Sequence, residues 1–288
     1  MKIKIFAPAK INLFLKIRNK RKNSYYNLQT VFHSIGLFDI ITLKRIQKGI
    51  DFTSSGIKCP GLSSNIVVKA ARILKKWNNV QKGVHIHLHK SIPVGRGLGG
   101  GSSDAASVLL GLNTLWGLKI DRKELIGIAK KLGADVPFFI TGYTCAQATG
   151  TGDILTPIKA GCSIWYILLD PGINISTKKI FQEWDKQKKK VHIRGNLSDI
   201  SSAVSNGDFK SICRLMGNDF LFYIHTNRII YNAYNYFKLQ ISNVSITGSG
   251  SCLFTICNNK QQALKILKKI KKQSLYKTYL VKGLEDSR

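Results

Sequence analysis

Long hydrophobic runs are missing from this 288-residue chain. No stretch reaches the about 18 consecutive apolar residues of a membrane-spanning helix, which argues against a transmembrane protein. The opening apolar stretch is broken by Lys10, too early for the core of a secretory signal peptide, so a cytoplasmic protein is expected. Cysteine is sparse, and Cys59, Cys145, Cys162, Cys213, Cys252 and Cys257 lie far apart with no Cys-x-x-Cys pair. That spacing argues against a zinc site and for reduced, mostly buried thiols. Proline is scarce too. With 44% hydrophobic residues the composition is that of an ordinary globular protein. Acids are the most conspicuous shortage: 15 Asp and Glu stand against 45 Lys and Arg, a formal net charge of +30. Such a charge raises nucleic-acid binding. Yet the lysines are scattered and far outnumber arginine, and no aromatics interleave with the basic runs as stacking would require. A dedicated nucleic-acid role is therefore not expected, whereas a general attraction for anionic substrates is.

What the chain does have is glycine, concentrated in one place. Gly95, Gly97, Gly99, Gly100 and Gly101 fall within seven positions, followed by Ser102 and Ser103. Fixing so many glycines in a helix or strand costs more backbone entropy than any other residue would. Ser102 or Ser103 can cap a helix whose apolar positions Ala105, Ala106, Val108, Leu109 and Leu112 follow at helical spacing. A glycine loop opening a helix gathers free N–H groups at the positive end of a helix dipole, which suits a polyphosphate. The loop contains Gly-x-Gly-x-x-Gly with Asp121 about 20 residues on, but that acid begins a helix instead of ending a second strand, which speaks against a dinucleotide fold. No Lys-Ser or Lys-Thr follows the glycines, so it is not a Walker loop. A protein-kinase loop lies in a strand hairpin and does not open a helix.

The length suits one large domain or two of about 150 residues. Residues 2–17 read as one long strand or a bent pair, 28–46 as two strands, 64–77 as a helix and 84–89 as a strand. A helix from the loop to about residue 115 follows, then a helix over 121–132 ended by Gly133, and a strand over 138–148. A composition change at 150–161 suggests a boundary. Beyond it the pattern gives a strand at 163–169, a lysine-rich loop at 186–190, helices around 198–217 and 225–238, a strand–turn–strand over 241–257, and a basic helix over 260–273. Two mixed halves define an α+β class.

Four further stretches carry two readings each. Lys10 and Asn12 share one face of a strand, as an exposed lysine or as a polar site over the core sheet. Asp135, in an apolar stretch before Pro137, either caps a turn or serves as a general base for a hydroxyl. Thr247-Gly248-Ser249-Gly250-Ser251 is either a plain hairpin turn or backbone packed against a phosphate. His85, His87 and His89 alternate with apolar residues, as the wet face of a strand or as a metal ladder.

In order along the chain, Pro8-Ala9-Lys10-Ile11-Asn12-Leu13, Pro93 to Ala106, Leu132 to Pro137 and Thr247 to Phe254 together closely resemble the GHMP small-molecule kinases, over essentially the whole chain. The resemblance implies two domains, 1–155 like ribosomal protein S5 domain 2 and 156–288 ferredoxin-like. It implies an ATP-dependent kinase using Mg²⁺, with no resident metal. Asp135 then matches the catalytic base and Lys10 the lysine beside the accepting hydroxyl. ATP would be bound by Pro93, Val94, Gly95, Arg96, Gly97, Leu98, Gly99, Gly100, Gly101, Ser102 and Ser103, with Asn65 and Lys90 on the adenosine side. The branch most resembled takes a cytidine diphosphate-linked methylerythritol of the non-mevalonate isoprenoid route, a small-molecule partner. Tyr25 matches its cytosine-stacking aromatic, and Asn12 and Thr177 match substrate contacts. Ser24-Tyr25-Tyr26 stands where that branch shows Gly-Tyr-His, so Tyr26 either takes over the histidine's contact or weakens it. A monomer or weak homodimer is expected. The competing readings are a kinase of the same family for another alcohol and a basic nucleic-acid-binding protein on an S5-like domain.

Overall fold

Alternating apolar residues at the start of the chain build two unusually long strands, β1 (Lys2–Lys20) and β2 (Tyr26–Ile46). The structure, a computed structural model, describes residues 1–22, 24–188, 190–271 and 276–286. Its contacts divide the chain into two units, Met1–Ala9 with Leu37–Val94 and Gly99–Tyr143, and Lys10–Gly36 with Gly95–Leu98 and Thr144–Arg288. These differ from the expected halves 1–155 and 156–288, because β1 and β2 each run through both units.

The first unit adds β3 (Ile50–Gly56), α1 (Ile66–Trp77), β4 (Gly83–Lys90), α2 (Gly100–Trp116), α3 (Arg122–Lys130) and α4 (Val136–Thr141). Its strand order is β3-β4-β2-β1, with β2 antiparallel to β4 and β3 parallel to it. Val67, Ala71 and Leu74 of α1, Leu109 and Leu112 of α2, and Ile41, Leu43 and Ile86 of the sheet share one buried core. A Cβ on Gly111 would overlap the Ile5 and Leu43 side chains, so glycine there lets α2 lie close on the sheet. Asp121 caps α3 by accepting from the Glu124 N–H at 2.7 Å. The strand expected over 138–148 is instead α4 followed by β5 (Cys145–Thr149). Pro137, preset for a first helical turn, starts the helix, and Gly142 at φ +75° ends it.

The second unit continues with β6 (Ile154–Pro157), β7 (Trp165–Asp170), α5 (Thr177–Lys186), α6 (Leu197–Asn206), α7 (Phe209–Leu215), β8 (Gly217–Asn218), a 3₁₀ helix (Asp219–Thr226), α8 (Arg228–Gln240), β9 (Ser245–Ile246), β10 (Leu253–Cys257), α9 (Lys260–Lys271) and β11 (Lys277–Lys282). The order β11-β7-β10-β9 forms a four-stranded sheet. Its core includes Ile167, Ile180, Trp184, Phe220, Phe237 and Leu253. The two strands expected over 28–46 are two pairing regions of β2, with β5 beside residues 30–33 and β4 beside residues 40–46. The expected helix at 260–273 is α9, and Gln273 lies outside the described residues, as does Lys189 of the lysine-rich loop.

Candidate active site

The glycine loop takes left-handed backbone at Gly95, Gly97 and Gly99, with φ of +69°, +77° and +69°, a region glycine enters without steric cost. The sequence points to Ser102 or Ser103 as the cap of α2, but neither serine caps it. The cap is Gly99, which has no side chain, and both serines lie inside the first turn. The Ser103 N–H reaches the Gly99 carbonyl at 2.9 Å. The N–H groups ahead of it, on Gly100, Gly101 and Ser102, have no intrahelical acceptor. Ser103 Oγ is buried without a hydrogen-bond partner.

Three charges sit beneath this helix start. Lys90 Nζ donates to Asp104 Oδ2 at 2.6 Å and also to Asp39 Oδ2. Asp39 Oδ1 in turn accepts from the N–H groups of Ser91 at 2.6 Å and Ile92 at 2.9 Å, fixing the entry to the loop. A Cβ on Gly100 would lie 3.0 Å from Lys90 Nζ and 2.9 Å from Ile92 Cγ2, so glycine lets α2 begin directly over the lysine. Burial pushes the Asp104 carboxyl up to about 7, against the pull of Lys90 and with the help of the Asp39 charge. Burial alone would lower Lys90, but the two carboxylates override it and hold the ammonium above its ordinary value.

In the second unit, Lys10 and Asn12 are both 2% exposed, which sets aside the exposed-lysine reading. Lys10 Nζ donates to Asn12 Oδ1 at 2.5 Å, and Asn12 Nδ2 donates to Thr30 Oγ1 at 2.8 Å. The Asn12 N–H reaches Thr247 Oγ1 at 3.1 Å, which lies 3.3 Å from the Gly97 carbonyl oxygen. The Lys10 N–H donates to the Leu98 carbonyl at 2.9 Å. A Cβ on Gly97 would overlap the Thr247 carbonyl oxygen, and one on Gly248 would lie 2.9 Å from the Gly97 oxygen and 3.2 Å from Lys10 Nζ. The stretch after Thr247 is thus both a β9–β10 turn and a close backbone partner of the glycine loop.

The other expected residues divide by what already engages them. Asp135 is half-buried at the start of α4 and makes no capping hydrogen bond, so the capping reading does not account for it. Tyr25 is 65% exposed. Tyr26 is buried, stacked on Phe181 with centroids 5.3 Å apart, and its hydroxyl donates to Asp185. Burial first, then the Asp185 carboxylate, push that phenol up to about 12. Thr177 opens α5, with Oγ1 3.2 Å from Ser249 Oγ. Asn65 caps α1: it accepts from the Val67 N–H at 3.1 Å and donates to the Pro60 carbonyl at 2.7 Å. His85, His87 and His89 share hydrogen bonds with Thr53 and Ser55 on β3. Among the described residues no group of three or more His, Cys, Asp or Glu could hold a metal ion, and no helix is long and apolar enough to cross a membrane. Sequence reasoning missed Asp39 and Asp104. Asp39 carried a signal as a lone carboxylate in an apolar run, and Asp104 as the one acid directly after the glycines and serines.

The family descriptions "GHMP kinases N terminal domain" and "GHMP kinases C terminal" match residues 65–143 and 200–276. A 4-diphosphocytidyl-2-C-methyl-D-erythritol kinase of Caldicellulosiruptor bescii is 35% identical over 275 residues, covering 93% of this chain and 94% of its own. One of Alkaliphilus metalliredigens is 34% identical over 264 residues, covering 91% and 90%. The crystal structure of a 4-(cytidine 5'-diphospho)-2C-methyl-D-erythritol kinase superposes with a TM-score of 0.82 at 27% identity, covering 98% of this chain and 99% of that one. The chain belongs to the GHMP kinase family: a two-domain α+β fold and an ATP-dependent small-molecule kinase. Its relatives over nearly the whole chain are 4-diphosphocytidyl-2-C-methyl-D-erythritol kinases.

Magnesium, implied by such a kinase, takes oxygen ligands and is carried largely by substrate phosphates. The Ser102 hydroxyl and the orphaned Ser103 Oγ at the helix start fit that preference.

Proposed function

We propose that this protein transfers the γ-phosphoryl group of ATP to the 2-hydroxyl of the methylerythritol moiety of 4-diphosphocytidyl-2-C-methyl-D-erythritol. The acceptor is taken from relatives aligned over nine-tenths of the chain. The observation that carries the chemistry is the buried Lys10–Asn12 pair tied through Thr247 to Gly97 of the glycine loop.

Asp135 takes the proton from the accepting hydroxyl, which is worth about 10²–10⁴ in rate for general-base assistance. Lys10, held by Asn12, neutralises the charge that develops on the oxygen. That oxygen bonds to the γ-phosphorus as the bond to the β–γ bridging oxygen breaks, and ADP leaves. The N–H groups at Gly100, Gly101 and Ser102 and the α2 dipole hold the phosphate oxygens, a preorganised electrostatic contribution. The Ser102 and Ser103 hydroxyls would hold Mg²⁺, which would add to the neutralisation of phosphate charge. Tyr25 stacks on the cytosine, and Thr177 contributes a hydroxyl to the substrate. Asn65 and Lys90 stand on the adenosine side, where Asn65 also fixes the start of α1 and Lys90 the start of α2.

The family division into 1–155 and 156–288 is part of the same reading, since the two family matches fall on either side of residue 155. A cytoplasmic monomer or weak homodimer fits as well, with all six cysteines free thiols.

The test is incubation with Mg-ATP and, separately, the cytidyl methylerythritol, mevalonate, homoserine and galactose, followed by ³¹P NMR. A new phosphomonoester signal on the cytidyl compound alone is expected. Phosphorylation of another alcohol in its place would overturn the assignment.

A further inference from the structure

The resemblance places Arg96, near the start of the glycine loop, among the residues that bind ATP, but the proposed phosphoryl transfer gives it no role of its own. We propose that Arg96 is a positioning residue for the nucleotide, acting through Asp170 and not by touching ATP. This rests on the reading that the nucleotide phosphates bind at the loop.

Arg96 Nε donates to Asp170 Oδ1 at 2.6 Å, and Nη1 donates to Asn174 Oδ1. The two charged side chains are only 12% and 10% exposed, so the pair is shielded from the solvent screening that weakens surface ion pairs. Asp170 is itself anchored: it ends β7, and its Oδ1 also accepts from the Gly172 N–H at 2.9 Å. Asn174 lies so close beneath the loop that a Cβ on Gly95 would come 2.7 Å from its Oδ1. The guanidinium charge is therefore matched by a fixed carboxylate.

The backbone on either side shows what this anchor does. Three consecutive loop carbonyls are pinned: Arg96 by the Cys252 N–H at 3.2 Å, Gly97 by Thr247 Oγ1 at 3.3 Å, and Leu98 by the Lys10 N–H at 2.9 Å. In a planar trans peptide the N–H of the next residue points opposite to the carbonyl. Pinning these oxygens therefore turns the N–H groups of Gly97, Leu98 and Gly99 the other way, as a row of backbone donors for an anion. The glycines at 95, 97 and 99 impose little restriction of their own, so the direction of these peptides depends on what pins them. Arg96 is the side chain that fixes the row at its first peptide.

Steady-state kinetics on the full-length enzyme test this, with Mg-ADP titration calorimetry as a readout independent of the acceptor. Arg96→Ala and Asp170→Asn should each raise KM for ATP and Kd for Mg-ADP about tenfold, the scale of one lost charge-assisted hydrogen bond, with KM for the acceptor unchanged. The double variant should be no worse than either single one, because both break the same link. Arg96→Lys, which keeps the charge but not the planar fork, should fall in between and guards against a variant that does not fold. If Asp170→Asn leaves nucleotide affinity unchanged or tightens it while Arg96→Ala weakens it, Arg96 meets the phosphates directly and the proposal is overturned. No effect of Arg96→Ala on either constant would overturn it too. Wild-type protein that binds Mg-ADP without phosphorylating the cytidyl compound would count against the proposed acceptor alone, and the calorimetric comparison would still decide the role of Arg96.

Discussion

Lys10 and Asn12, two residues apart on one face of β1, are joined by a 2.5 Å hydrogen bond from ammonium to carboxamide. The same carboxamide donates to Thr30 Oγ1 at 2.8 Å and accepts from Thr247 Oγ1 at 3.4 Å. A buried lysine on a flexible four-carbon stem is oriented in part by a neighbour that is itself held. Asn12→Ala should therefore lower kcat about ten- to a hundredfold by misplacing the charge that the proposed mechanism brings to the reacting oxygen, while Kd for Mg-ADP stays near wild type. Parallel kinetics and nucleotide titration check this. A purely structural role for Asn12 would weaken both together.

Gly97 should tolerate no side chain. At φ +77° an alanine pays about 1–2 kcal/mol for left-handed backbone, and its Cβ would also overlap the Thr247 carbonyl oxygen. Gly97→Ala is expected to lose nucleotide binding and to lower the urea midpoint. Alanine at Gly127, where no atom lies within 4 Å of an added Cβ, should leave both unchanged.

The carboxyl of Asp104 holds its proton up to about 7, against an ordinary value of 3.8. Between those values the folded chain binds more protons at this site than the unfolded one, so this group's stabilising contribution is present at low pH and lost as pH rises through 7. Lys90, held above its ordinary value, loses its contribution only in strongly alkaline solution. Asp104→Asn, a mimic of the protonated carboxyl, should flatten the dependence of unfolding free energy on pH between 5 and 8. Urea titrations across that range would show an unchanged slope if Asp104 were ionised throughout.

Tyr25→Ala should raise KM for the cytidyl substrate by about tenfold or more, given the about 1–3 kcal/mol that a base gains on an aromatic platform. KM for ATP should not move. Equal rises in both constants would mean that the loop between β1 and β2 supports the fold and does not stack on the base.

Much of the site was legible because its constraints are local. Five glycines before two serines announce an anion cradle, and a lysine and an asparagine two apart announce one strand face. What stayed hidden depends on the partner. Nothing in the sequence around Lys90 shows that its ammonium is shared by carboxylates 51 and 14 residues away, and nothing beside Arg96 points to Asp170. The cap of α2 was misread because serine usually leads at that position, whereas here Gly99 takes it and leaves the serines inside the turn. Helix α4 was missed because Phe138 and Phe139 have strand propensity, and tertiary burial outweighs it. Two pairing regions read as two strands proved to be one, since only the neighbour changes along β2.

In the proposed mechanism, phosphoryl transfer to the cytidyl substrate turns on Asp135 as the base. The direct measurement is the single-turnover rate of Asp135→Asn with saturating Mg-ATP and substrate, beside Mg-ADP titration of the same variant. The rate should fall by about 10²–10⁴ with nucleotide affinity within about twofold of wild type, because the proposed phosphate cradle is built from N–H groups of the loop and of α2. A rate close to wild type would contradict the account.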